Sequence, residues 1–168
     1  DDAVVLARTA LNSRMREQVE RTERFAQRVS TLPSSGAMLV AMDEELRRTD
    51  AAELVLYGEY ERIIGASSRS VPDSLPERPS AELVRQVIVG RSYVSLEPVG
   101  DSGYVIRTAA LLPGAVALPG GARFVVITYD LPRQFAELTD AVQRSFSQYG
   151  DLAALREPLK YSFSLTLT

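Results

Sequence analysis

The stretch SYVSLEPVGDSGYVIRTAALL (Ser92–Leu112) decides the fold of this chain. Residues of high β propensity flank Gly100-Asp101-Ser102-Gly103, which has the composition of a tight turn. Two strands are therefore predicted, Ser92–Val99 and Tyr104–Leu112, joined antiparallel by that turn. A Pro/Gly-rich connection follows as far as Gly121, then a third strand over Arg123–Leu131, ended by Pro132.

Upstream of this stretch, SSRSVPDSLPERPS (Ser67–Ser80) holds three prolines and reads as a polar loop. It leads into a helix, AELVRQVIVG, with Ser80 as N-cap, Glu82 in the first turn and Gly90 at the C-terminal end. Earlier still, ELVLYGEYERIIGAS places two β-rich runs, Leu54–Tyr57 and Arg62–Ala66, around Gly58-Glu59-Tyr60, a hairpin pattern. Before the hairpin the period is helical. A short helix is predicted over Gly36–Arg48, capped by Ser34 or Ser35, after one long helix over Ala3–Leu32. Arg16–Glu20 and Glu20–Arg24 are spaced for ion pairs on that long helix. Gln18 and Thr22 interrupt its apolar seam, which serves either the domain's own packing or a dimer contact where polar positions set register.

Downstream, Phe135, Leu138, Val142, Phe146, Tyr149, Leu152, Leu155, Leu159 and Phe163 continue a helical stripe that Pro158 should kink. The stripe is still running at the last residue, and the chain opens on Asp1-Asp2 without Met. Both features lead to the expectation of a domain excised from a longer protein. Five strands joined by hairpins or short crossings, with helices before and after them, predict an α+β domain built on an antiparallel sheet.

Composition narrows the chemistry. The 168 residues include no Cys and no His, which rules out a thiol nucleophile, a Ser-His-Asp triad, a Cys/His zinc site and any disulfide. No cofactor is expected. The formal net charge of −3 offers no basic face for nucleic acid. The carboxylate clusters Asp43-Glu44-Glu45 and Glu137–Asp140 read as solvated helix faces rather than catalytic pairs, and Gly100–Gly103 reads as a turn rather than a serine-protease motif. The chain is not expected to be an enzyme.

A binding pocket is the better-founded expectation. Arg91, Tyr93, Tyr104, Arg107, Tyr129 and Asp130 lie on or beside the three predicted strands. Alternation puts Arg107 on one face with Val105 and Ala109, so its guanidinium either reaches water, pairs with a carboxylate or meets an anionic ligand. Asp130 either receives an amine or pairs with an arginine.

The layout resembles the PAS-like extracytoplasmic sensor fold of the PDC or Cache type. That resemblance implies a five-stranded sheet that forms a ligand pocket, flanked by long N-terminal and C-terminal helices. It divides the chain into a helical part (1–48), a PAS-like core (53–131) and a C-terminal helix (133–168) leading to a membrane span. The tail, QYGDLAALREPLKYSFSLTLT, resembles the segment before the second transmembrane helix of NtrY-type nitrogen-regulation sensor histidine kinases. The matching residues are Tyr149-Gly150, Leu152–Leu155, Arg156–Lys160 and Phe163–Leu167, and ITYDLP (Ile127–Pro132) is similar to the end of the last sensor strand. The resemblance implies a membrane-bound kinase in a two-component system, with its phosphotransfer parts outside this chain. It also implies a domain on the periplasmic side of the bacterial inner membrane, flanked by transmembrane helices and bound by a small molecule; the seam of the N-terminal helix adds the expectation of a homodimer through that helix. The amine and amino-acid Cache groups carry an aromatic-plus-basic signature that is not evident here, which leaves the ligand open. A ligand-free dimerisation or interaction module, and a chemoreceptor ectodomain, remain the alternatives.

Overall fold

A computed structural model describes residues 2–69, 76–99, 103–115, 118, 121–137 and 139–140. The long helix α1 runs over Asp2–Ser30 and α2 over Ser35–Arg48. Strand β1 (Ala51–Tyr57) and strand β2 (Ile63–Ser68) flank a short 3-10 turn at Glu59–Glu61. Helix α3 (Ala81–Ile88) precedes β3 (Tyr93–Val99), β4 (Gly103–Leu111) and β5 (Phe124–Asp130). Residues 133–137 are again helical. Residues 100–102 of the GDSG turn and the tail beyond residue 140, with its Arg156–Lys160 motif and most of its predicted helix, lie outside the described residues.

The five strands form one antiparallel sheet in the order β2-β1-β5-β4-β3. The domain is α+β, as its sequence predicts. Strand β5 is inserted between β1 and β4, so the hairpin β1–β2 and the hairpin β3–β4 are joined through the last strand.

Local chemistry sets the element ends. Ser34 accepts a hydrogen bond from the Ala37 N–H at 3.1 Å and starts α2; Ser80 accepts one from the Leu83 N–H at 3.1 Å and starts α3. Helix α2 is closed from a distance. The Arg69 guanidinium donates to the carbonyls of Leu46 at 2.7 Å, of Ala51 at 2.6 Å and of Thr49, filling the role of a C-terminal cation. In the turn between β1 and β2, Tyr60 and Glu61 both adopt left-handed backbone angles, φ 57° and 58°. That conformation disfavours L-residues, and it leaves the Tyr60 ring at the tip almost wholly exposed.

The sheet has two different faces. On the first, Leu54, Leu56, Ile106, Val125, Ile127 and Tyr129 pack against Leu11, Met15, Val19, Phe25 and Val29 of α1 and Met38 and Met42 of α2. Each fully buried side chain of this size contributes roughly 1.5–3 kcal/mol. The apolar seam of α1 is therefore used within the domain, including Gln18 and Thr22, and that stripe is closed to a second copy. Within α1, Arg21 pairs with Glu17 at 2.9 Å, and the Arg16–Glu20 and Glu20–Arg24 pairs that spacing alone suggests are not made among the described residues.

On the second face, Val55, Tyr57, Tyr93, Ala109, Phe124 and Val126 pack against Leu83 and Val87 of α3. The rings of Tyr57 and Phe124 stack at 5.0 Å.

Candidate functional site: a polar row on the α3 face of the sheet

Strand register lines up the second face in rows. Val55, Val126, Ala109 and Tyr93 stand side by side across β1, β5, β4 and β3, an apolar row next to α3. Two residues along each strand, the same alignment produces Glu53, Thr128, Arg107 and Ser95. The following row holds Asp130, Val105 and Glu97. A half-covered sheet face thus changes from apolar to polar within one period of the pleat.

Arg107 is the centre of the polar row. Its side chain is 17% exposed, and its Nε is buried without a hydrogen-bond partner among the described residues. Glu97 Oε1 lies 3.7 Å from Nε and Glu77 Oε2 lies 4.0 Å from Nη1, both too long for hydrogen bonds. Ser95 donates to Glu97 Oε2 at 2.7 Å and holds that carboxylate beside the row. The Tyr57 hydroxyl donates to the Glu77 carbonyl at 3.3 Å and ties the segment before α3 to the sheet.

Electrostatics follow from this crowding. Burial holds the Glu53 carboxyl above its ordinary value; Arg107 opposes the shift and Glu77 adds to it. The Tyr57 phenol is raised by burial first, then by Glu53. Three carboxylates, Glu53, Glu77 and Glu97, surround one guanidinium. The site therefore offers both a fork for a carboxylate and an acidic surround for an ammonium group.

Of the six residues singled out in the sequence, Tyr93, Arg107 and Asp130 occupy this face. Tyr93 is buried beneath α3, and its hydroxyl has no hydrogen-bond partner among the described residues. Asp130 is exposed at the end of β5. Arg91 is exposed just ahead of β3, its N–H bonded to the Gln86 carbonyl at 3.1 Å. Tyr104 and Tyr129 must be removed from the grouping, because both point to the opposite face. Tyr104 donates to Asp140 Oδ1 at 2.7 Å, and burial together with that bond pushes its phenol up to about 12. Tyr129 is enclosed under α1 and burial pushes it up to about 12, with Thr22 opposing the rise. Glu53, Glu77, Glu97 and Ser95 were not among the six. They enter the site only through register and the path of the segment before α3.

Two solved structures share this fold. The ligand-binding domain of the Pseudomonas aeruginosa amino acid chemoreceptor PctC, in complex with GABA, superposes with a TM-score of 0.57 at 13% identity. That match covers 83% of this chain and 62% of the other. The ligand-binding domain of the Campylobacter jejuni chemoreceptor Tlp3, in complex with L-valine, gives 0.52 at 12% identity, covering 84% and 61%. The fold is shared with chemoreceptor ligand-binding domains. This chain spans about three fifths of the length of those domains. No protein-family model matches it, and no curated protein does.

Proposed function

We propose that this chain is an extracytoplasmic sensor domain whose α3 face binds a small zwitterion or amine, and that its terminal helices carry the response toward a membrane. The observation that supports this reading most is the Arg107 guanidinium. It is largely buried, imperfectly paired and ringed by Glu53, Glu77 and Glu97. A ligand carboxylate would compete with Glu97, 3.7 Å away, for the hydrogen-bonding capacity that Arg107 leaves unused. A ligand ammonium fits the excess of negative charge. The solved neighbours hold GABA and L-valine, which both carry those two groups. Non-catalytic binding agrees with the absence of His and Cys from the sequence.

A bound ligand changes the balance of two packings only by its preference between them; a hundredfold preference is worth about 2.7 kcal/mol. Arg107 and Thr108 are consecutive on β4, one on the ligand face and the other against α1. A shift of this strand is therefore felt directly by the long helix.

The tail motif supports a finer reading, that the parent protein is an NtrY-type sensor histidine kinase and that the domain sits on the periplasmic side of the inner membrane between two spans. No described helix is long and apolar enough to cross a membrane, so those spans would lie elsewhere in the protein. Pairing of two chains would use the outward side of α1, where Val5 and Leu6 are exposed. A thermal-shift screen of amino acids, amines and carboxylates tests the ligand reading. One or more amines or zwitterions should raise the midpoint, by about 2.7 kcal/mol of stabilisation at a hundred times Kd. A flat response across the panel contradicts it.

A further inference from the structure

The sheet face opposite the polar row carries a second set of unpaired polar groups, in the groove where α1 passes the junction of α2 and β1. The groove has two lobes. One, of about 440 Å³, is lined by Arg14, Gln18, Arg21, Arg48 and Asp50 among others. The other, of about 340 Å³, adds Arg24, Arg28 and Glu45. Arg21, Arg48 and Thr49 border both, so the lobes are continuous.

Charge in the groove runs against the rest of the chain. Five guanidinium groups, of Arg14, Arg21, Arg24, Arg28 and Arg48, meet three carboxylates, of Glu17, Glu45 and Asp50. The excess is two positive charges in a protein of net charge −3. Asp50 accepts from Arg14 at 2.7 Å and Arg21 at 3.1 Å, and Glu45 from Arg28 at 3.2 Å and from Arg48. Arg24 makes no ion pair among the described residues.

The floor is the second observation, independent of charge. Gln18 is 2% exposed, and both its Oε1 and its Nε2 lack a hydrogen-bond partner among the described residues. The buried Nε of Arg14, one turn earlier on α1, is also without one. A buried amide left unsatisfied costs about 1–3 kcal/mol. Leucine or methionine at this position of an apolar seam would avoid that cost. In native structures such groups are met by an ordered water, an ion or a ligand, or are kept at strained or catalytic sites.

We infer that the groove is a binding site for a small dissolved oxyanion, a carboxylate or a phosphate. The charge sits among the guanidinium groups of Arg21, Arg24 and Arg48, and the Gln18 amide and Arg14 Nε supply donors from below. Arginine forks match both anions in geometry. Because Arg21 and Arg24 belong to α1 and Arg48 to the end of α2, an occupant ties the two helices together. The site is separate from the polar row, which lies across the sheet.

Titration calorimetry with phosphate and with citrate, at ionic strength held constant by sodium chloride, tests the inference. At least one of the two should bind saturably; which one does so names the anion class. The pair Arg24→Gln with Arg48→Gln should weaken that binding at least tenfold. Gln18→Leu should weaken it while leaving thermal stability unchanged or higher, and Arg107→Gln should leave it as it is. Three results overturn the proposal: no saturable binding of either anion, affinity unchanged in the arginine pair, or affinity unchanged in Gln18→Leu. None of these depends on whether the α3 face binds an amine.

Discussion

The hydroxyl oxygens of Thr22 on α1 and Thr108 on β4 lie 2.6 Å apart, buried between the long helix and the sheet. Thr22 also reaches the Gln18 carbonyl at 2.8 Å, and Thr108 reaches the Ile127 carbonyl at 3.1 Å. Two hydroxyl protons thus face three acceptors, and one hydroxyl must donate to the other. This contact is a polar link between the strand that carries Arg107 and the long helix α1.

Replacing either threonine by valine keeps the shape and removes one side of that link. Each single variant should lose about 1 kcal/mol, and the double variant less than the sum, because valine against valine leaves no hydroxyl stranded. Urea denaturation of the four proteins in the cycle measures the coupling. Strict additivity would mean that the two hydroxyls do not bond.

Glu53 makes the polar row sensitive to pH. Its carboxyl is held above its ordinary value of 4.5 by burial. The folded protein therefore binds this proton more tightly than the unfolded chain does. The penalty for ionising Glu53 is absent below its unfolded pKa and is complete once pH has risen through its folded pKa. Glu53→Gln should therefore gain stability relative to the parent across that window and hold a constant advantage at neutral pH. A ligand ammonium prefers the ionised carboxylate, so affinity for an amine should rise through the same window in the parent and not in Glu53→Gln. Denaturation and titration at a series of pH values read both effects.

Glu45 is 2% exposed and joins Arg28 of α1 to Arg48 of α2, which corrects the expectation that Asp43-Glu44-Glu45 is a solvated face. Glu45→Ala should destabilise by about 1–3 kcal/mol, below the 3–5 kcal/mol of a fully buried pair. Both arginines can turn to water, their side chains being 40% and 63% exposed. Thermal or urea unfolding gives the value.

Much of the architecture was legible because local chemistry and tertiary structure agree. Ser34 and Ser80 cap the helices they precede, and runs such as Tyr93–Val99 and Phe124–Asp130 have the composition of strands. The site was only half legible. Parity along β4 already sets Tyr104 against Arg107, three residues on, and Tyr129 against its neighbour Asp130, so those tyrosines were separable from the site without coordinates. The alignment of Glu53 with Arg107 was not. It depends on β5 lying between β1 and β4, and on a register shift between Ala51 and Glu53, neither of which leaves a local mark. Glu45 was hidden for a similar reason: its partner Arg28 approaches from a different helix.

The most direct measurement of the sensor reading is calorimetric titration of the zwitterion that gives the largest thermal shift, against the parent, Arg107→Gln and Arg91→Gln. One saturable site is expected, with affinity at least tenfold weaker in Arg107→Gln, a loss of about 1.4 kcal/mol or more, and no change in Arg91→Gln. Affinity unaffected by Arg107→Gln would contradict it.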